Sequence, residues 1–191
     1  MQPTRDDAMS LLKEFTQSDS LIKHALAVET AMRAYAHRFR EDEEKWGVVG
    51  LIHDFDYERF PTREEHVHQG VKILRERGWP EEMVEAAASH ADYMEIPRDT
   101  PMKKTIFAVD ELTGFISAVA LVRPSKSVMD VESSSVRKKM KDKAFARAVN
   151  REDIVKGAEE LGLPLEEHIS FVIAAMRAVA GDLGLEGTPS A

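Results

Sequence analysis

Histidine and aspartate are the residues of this chain whose types and spacing could do chemistry. There are seven histidines and no cysteine. Thiolate nucleophiles, disulfides and cysteine-held zinc or iron-sulfur sites are therefore excluded, and any metal must sit on imidazole and carboxylate. Residues three, four or seven apart share a helix face. On that rule His24 lies between Leu21 and Val28 on an apolar stripe, and His53 follows Val49 by four. His66 precedes Gly70 by four and Ile73 by seven, while His90 follows Ala87 by three and Met83 by seven. All four face inward. His37 shares a face with Arg33, and His68 with Lys72 and Arg75, so both read as solvent-facing. The face of His168 is ambiguous, and it is grouped with these bystanders.

Each buried imidazole must satisfy two ring nitrogens, and several in one domain are costly without partners. A lone inward histidine is more often a hydrogen-bonded core residue than a ligand. Four together, one of them beside an aspartate, point instead to metal coordination. Asp54 directly follows His53, and Asp110 lies three after Phe107 and four before Gly114 in a mostly apolar segment. An aspartate ordinarily ends in a surface ion pair. Beside the inward histidines, these two read as ligands.

The elements that must position these residues are helices, because apolar residues recur at three- and four-residue spacing and no segment alternates. The predicted class is all-α. From about Ser20 to Phe39, Leu21, Ala25, Val28, Met32, Tyr35 and Phe39 form one stripe. A second helix, about Asp42 to Phe55, is apolar nearly all round at WGVVGLI and reads as the buried centre, with His53 and Asp54 at its end. Thr62 with Glu65 reads as a capping box opening a helix to about Arg77, ended by Gly78. Pro80 opens one to about Ala91, and Pro101 a long one to about Leu121. A basic helix follows from about Ser134 to Val149, then helices opened by Asn150 and by Pro164, the last ending near Gly181. The tail GLEGTPSA is expected to fray.

At 191 residues the chain is long enough for one sizeable core, and no Gly-, Ser- or Pro-rich linker divides it. The expectation is a single domain over 1–191, with a motif-bearing core at about 20–121, a helical extension at about 122–182 and a tail at 183–191. A net charge of −8 disfavours polymeric nucleic acid as a partner. No apolar run approaches the ~20 residues of a membrane span, and MQPTRDDAMSLLKEF does not read as a signal peptide. The expected compartment is the cytoplasm; homo-oligomerisation stays open.

The order His24, His53-Asp54, Asp110 resembles the H…HD…D signature of HD-superfamily metal-dependent phosphohydrolases. The surrounding segments match as well: KHALAVETAMRAYA at the first histidine, GLIHDFD at the pair, HVHQGVKIL after it, and IFAVDELTGF at the last aspartate. The resemblance covers roughly Leu21 to Leu121. An HD dipeptide alone is common by chance, whereas the full ordered set with His66 and His90 is specific. Those two histidines resemble the extended H…HD…H…H…D arrangement of dinuclear members, including bacterial HD hydrolases of diadenosine tetraphosphate and HD-GYP phosphodiesterases.

The resemblance implies two divalent ions held by His24, His53, Asp54, His66, His90 and Asp110, with Asp54 bridging them and serving as the catalytic residue that orients water. Iron, manganese, zinc, nickel, cobalt and magnesium are not distinguished. It implies hydrolysis of a phosphate ester, such as a nucleotide or other small phosphorylated metabolite. Some proteins of similar layout are dinuclear-iron oxygenases, and a non-catalytic ligand-binding protein supported by its metal is a third reading. One departure is local: HDFDYERFP stands where HDIGK-type members continue with a lysine. Asp56 and Asp92 are the nearest carboxylates for a separate general base. The candidate cations for a substrate phosphate are Lys103, Lys104, Arg137 and Lys141, the last two in the basic helix whose ordinary role is a solvated face.

Overall fold

The computed structural model describes residues 2–187. It is all-helical, as the spacing predicts: among the described residues there are nine α-helices, no strand, and one isolated bridge between Ser127 and Glu186. The chain gathers into two compact units, Met1–Phe107 and Ala108–Ala191. Their boundary falls inside one continuous helix, α6 (Pro101–Leu121).

The first unit begins with α1 (Arg5–Phe15), a helix the apolar spacing did not reveal. Thr4 and Asp7 form its capping box, and Leu11, Leu12 and Phe15 are buried. In α2 (Asp19–Phe39) the stripe Ala25, Val28, Met32 and Tyr35 is buried as expected. The Glu58 carboxylate accepts the Gln17 and Ser18 N–H groups at 2.7 and 3.0 Å, which satisfies donors at the start of α2. Helix α3 (Glu43–Ile52) is buried from Trp46 to Ile52 and packs against α1, α2 and α5 (Glu81–Ala88). It approaches α2 so closely that a Cβ on Gly50 would lie 2.8 Å from the Glu29 Cα. Buried Glu29 accepts bonds from Arg5 and Arg33, and Arg33 also reaches Glu44. These ion pairs join α1, α2 and α3.

Three expected boundaries move, and all three moves concern the histidines. Helix α3 stops at Ile52, leaving His53 as its cap. Helix α4 spans His68–Glu76 rather than starting at Thr62. Thr62 does meet Glu65, at 3.0 Å, but the pair closes a turn. Val67, at φ 63°, separates that turn from the helix, and the Asp56 carboxylate supplies the cap by accepting the N–H groups of Val67 and Gly70. Helix α5 stops at Ala88, so His90 sits in the turn beyond it.

The second unit holds the rest of α6 with α7 (Ser133–Met140), α8 (Arg151–Glu160) and α9 (Leu165–Ala178). The expected helix 134–149 breaks after Met140. Asp142 accepts the Ala144 N–H at 3.0 Å, Ala146 adopts φ 42°, and the Arg151 guanidinium donates to the carbonyls of Asp142, Phe145, Ala146 and Val149. A local turn with a charged donor for four carbonyls outcompetes the helix ladder. Asn150 caps α8 as predicted, accepting the Glu152 N–H at 3.1 Å. The tail does not fray where expected: Leu183 and Leu185 are buried, and Val128 N–H donates to the Leu185 carbonyl at 2.8 Å. Residues 188–191 of the predicted tail lie outside the described residues. No helix among the described residues is long and apolar enough to cross a membrane.

Candidate metal centre

His53, Asp54, His66 and His90 all stand just past a helix end or just before a helix start, where a side chain can be aimed without following a helical stripe. The turn after α3 is held from the outside. Phe55 is buried edge-on against Phe15 with ring centroids 5.1 Å apart, and the Phe55 carbonyl accepts the Thr16 hydroxyl at 3.0 Å. That anchorage fixes Asp54 between His53 and the turn.

Two of the histidines are oriented by the same device. His53 Nδ1 lies 2.7 Å from the Gly50 carbonyl, and His90 Nδ1 lies 2.6 Å from the Ala87 carbonyl, each three residues back. A carbonyl only accepts, so Nδ1 carries a proton in both rings and Nε2 is the nitrogen left to meet Asp54 or an ion. His90 Nε2 lies 3.1 Å from Asp54 Oδ1, and His53 Nε2 lies 3.6 Å from Asp54 Oδ2. With Nδ1 committed, Nε2 is the nitrogen of each ring aimed at the Asp54 carboxylate, where either a proton or a metal ion can stand between them. Mixed imidazole and carboxylate donors of this kind suit borderline divalent ions.

Asp54 is the common member of two donor groups. One ligand atom from each of His24, His53, Asp54 and Asp110 lies within 4.8 Å of the others, and the same holds for Asp54, His66 and His90. All six residues singled out from the sequence as metal ligands therefore fall into these groups. The His24 and His53 rings are 5.2 Å apart, as are those of His53 and His90, and His66 and His90 are 5.7 Å apart.

The charges are strongly coupled. Burial opposes ionisation of Asp54, but the neighbouring His53, His66 and His90 overcome it and hold the carboxyl well below the usual carboxylate range. His66 has Asp54 Oδ1 at 3.1 Å from Nε2 and Asp56 Oδ1 at 3.1 Å from Nδ1. Burial lowers its basicity, yet the hydrogen bonds to the two carboxylates win and push it up to about 10 in the metal-free protein. The Tyr93 hydroxyl, 3.4 Å from the His66 carbonyl, is pushed up to about 12 by burial and by the charges of Asp54 and Asp56.

The remaining sequence candidates sit elsewhere. Buried Asp56 is not a base open to substrate, since it accepts from Val67 N, Gly70 N and His66. Asp92 pairs with Arg98 at 2.6 Å. The Lys103 ammonium is taken up by Glu85 at 2.8 Å and Asp99 at 3.2 Å, which leaves it poorly suited to a substrate phosphate. Lys104 is half-buried on α6 and carries no ion pair among the described residues. Arg137, paired with Glu166 at 3.0 Å, and exposed Lys141 border a cavity of about 480 Å³ in the second unit. His37 and His68 are exposed, as expected. His168 is fully buried, its Nε2 2.9 Å from the Ala108 carbonyl, and serves the core of the second unit.

Three residues near His66 escaped the sequence reading. Tyr57, 40 % exposed, sets its ring edge-on to His66 at 5.1 Å, and the Arg63 guanidinium lies 4.9 Å over the Tyr93 ring. They belong to turns with no periodic signal, and only their closeness in sequence to His53-Asp54 and His66 marks them.

Residues 21–114 match the family model described as HD domain. No curated protein and no solved structure matches the chain.

Proposed function

Residues 21–114 match the HD-domain family model, and from that match we propose that the protein is a metal-dependent hydrolase of a small phosphate ester, a nucleotide or another phosphorylated metabolite. The observation that carries the reading is the sharing of Asp54 between two donor groups. His24, His53, Asp54 and Asp110 would hold one ion, and Asp54 with His66 and His90 the second. Divalent ions held there would supply Lewis acidity toward a phosphoryl group and activate water for attack near neutral pH.

The chain's own residues prepare that chemistry. The carbonyls of Gly50 and Ala87 fix the tautomers of His53 and His90, so their Nε2 atoms are ready to ligate without reorganisation. Asp54 stays charged and presents one oxygen toward His53 and the other toward His66 and His90. Arg63, which rests on the Tyr93 ring and carries no ion pair among the described residues, and the exposed Tyr57, edge-on to His66, meet the substrate on this reading. A net charge of −8 favours a small phosphate compound over a polymer as that substrate.

The test is a screen of nucleotides and phosphate esters against protein reconstituted with manganese, iron or nickel, run with and without dioxygen. Phosphate release that persists anaerobically is the expected result. Turnover only with dioxygen consumption would assign the chain to the oxygenase reading instead.

A further inference from the structure

We propose that Asp56 is the residue that makes the second ion position possible: a positioning residue that locks His66 with Nδ1 protonated and Nε2 turned to Asp54. This inference rests on the two-ion reading above but concerns metal binding alone. Asp56 is 1 % exposed and stands two residues after Asp54. Its two oxygens divide their work. Oδ2 accepts the Val67 and Gly70 N–H groups, each at 3.0 Å, and Oδ1 faces His66 Nδ1 at 3.1 Å.

A charged carboxylate only accepts, so in the metal-free protein both His66 nitrogens carry hydrogen, Nδ1 toward Asp56 and Nε2 toward Asp54 Oδ1. An ion taken up by Asp54 would displace the Nε2 proton, while Asp56 keeps the one on Nδ1 and leaves Nε2 to ligate. His53 and His90 obtain the same orientation from backbone carbonyls of their own helices. His66 lies in the turn ahead of α4, where no carbonyl three residues back takes Nδ1, and a side chain fills that role. Gly70 belongs to the same device. A Cβ there would meet the Asp56 carboxyl carbon at 3.0 Å, so glycine lets the carboxylate sit over the start of α4. One buried group thus caps a helix and sets a ligand's tautomer.

Asp56→Asn separates the two roles. An amide oxygen can keep both backbone N–H bonds, which turns the NH₂ toward His66 Nδ1. Nδ1 must then accept, the proton moves to Nε2, and the ring loses its ligating lone pair. Metal-free wild-type and D56N proteins are titrated with zinc and with manganese, with bound ions counted per chain, alongside thermal unfolding of the metal-free forms. The expected result is two ions for wild type and one for D56N, or a second-ion affinity at least tenfold weaker, with unfolding midpoints nearly equal. Two ions bound to D56N with unchanged affinities would overturn the proposal, whatever either protein hydrolyses.

A second measurement is independent of any variant. In zinc-loaded wild-type protein, long-range ¹H–¹⁵N spectra should show His66 protonated at Nδ1 and ligated through Nε2. Ligation through Nδ1, or a proton on Nε2, would overturn it. A protein that binds two ions through this arrangement yet hydrolyses no phosphate ester would refute the proposed function and leave this inference standing.

Discussion

At the scale of single residues, three of the four imidazoles of the candidate centre have one committed nitrogen and one directed nitrogen. The committed nitrogens face the Gly50 carbonyl, the Ala87 carbonyl and Asp56. The directed ones converge on Asp54. Arg63 is a different kind of residue, since its guanidinium rests on Tyr93 and engages no carboxylate among the described residues. Its proposed partner is a substrate phosphate, so Arg63→Ala is expected to raise KM about tenfold, roughly 1.4 kcal/mol of binding, with bound metal unchanged. Steady-state kinetics with metal analysis checks this. An unchanged KM would remove Arg63 from the substrate site.

At the scale of elements, the site depends on where helices stop and how closely they pack. Helices α2 and α3 meet at Gly50, where an added methyl would press on the Glu29 backbone. Alanine gains about 1 kcal/mol of helix propensity over glycine, but overpacking against a backbone that cannot step aside costs about 1–3 kcal/mol or more. Gly50→Ala is therefore expected to lose a net of up to about 2 kcal/mol in chemical denaturation, and a stabilised variant would contradict the packing described. In the second unit, Arg151→Ala removes the donor that four carbonyls share. Its expected cost is about 2–3 kcal/mol, since hydrogen bonds from a charged donor contribute about 1.5–3 kcal/mol. A loss under about 0.5 kcal/mol would mean that the 141–149 turn holds itself.

Much of this was legible in the sequence, and the misses share a cause. Periodicity located α2, α6 and α9 because each buries residues at three- and four-residue spacing, and α3 stood out because its apolar run is buried on every side. It also turned His24, His53, His66 and His90 inward; His53 and His66 are buried, and His24 and His90 are half-buried. It failed at His66, where the Thr62–Glu65 pair imitates a helix start while the real cap, Asp56, comes from a segment distant by more than ten residues. Local spacing does not encode a cap supplied from elsewhere in the chain. It failed again at 141–149, where a basic amphipathic pattern continues but Arg151 draws the carbonyls out of the helix. Lys103 lies seven residues before Asp110 and so shares its helix face, but that register is blind to Glu85 arriving from another helix.

At the scale of the whole molecule, metal binding and folding are linked, because ligands from several separate segments of the chain converge only in the folded state. A ligand bound only by the folded form stabilises by about 2.7 kcal/mol when its free concentration is about 100 times its Kd. For a chain of this size that corresponds to a rise in Tm of roughly 5–10 °C, reversed by a chelator. A Tm indifferent to both metal and chelator would mean that the six side chains hold no ion. The match to the HD-domain model ends at residue 114, and the second unit carries its own buried core, including Phe115, Val136, Ile154 and Ile173.

The shared role of Asp54 is tested most directly by counting ions in wild-type protein and in Asp54→Ala, each stripped and then titrated with manganese or zinc under the same conditions. Two ions per chain in the wild type, and neither retained tightly when the carboxylate common to both donor groups is gone, is the predicted outcome. A variant that still binds both ions with wild-type affinity would show that Asp54 bridges nothing.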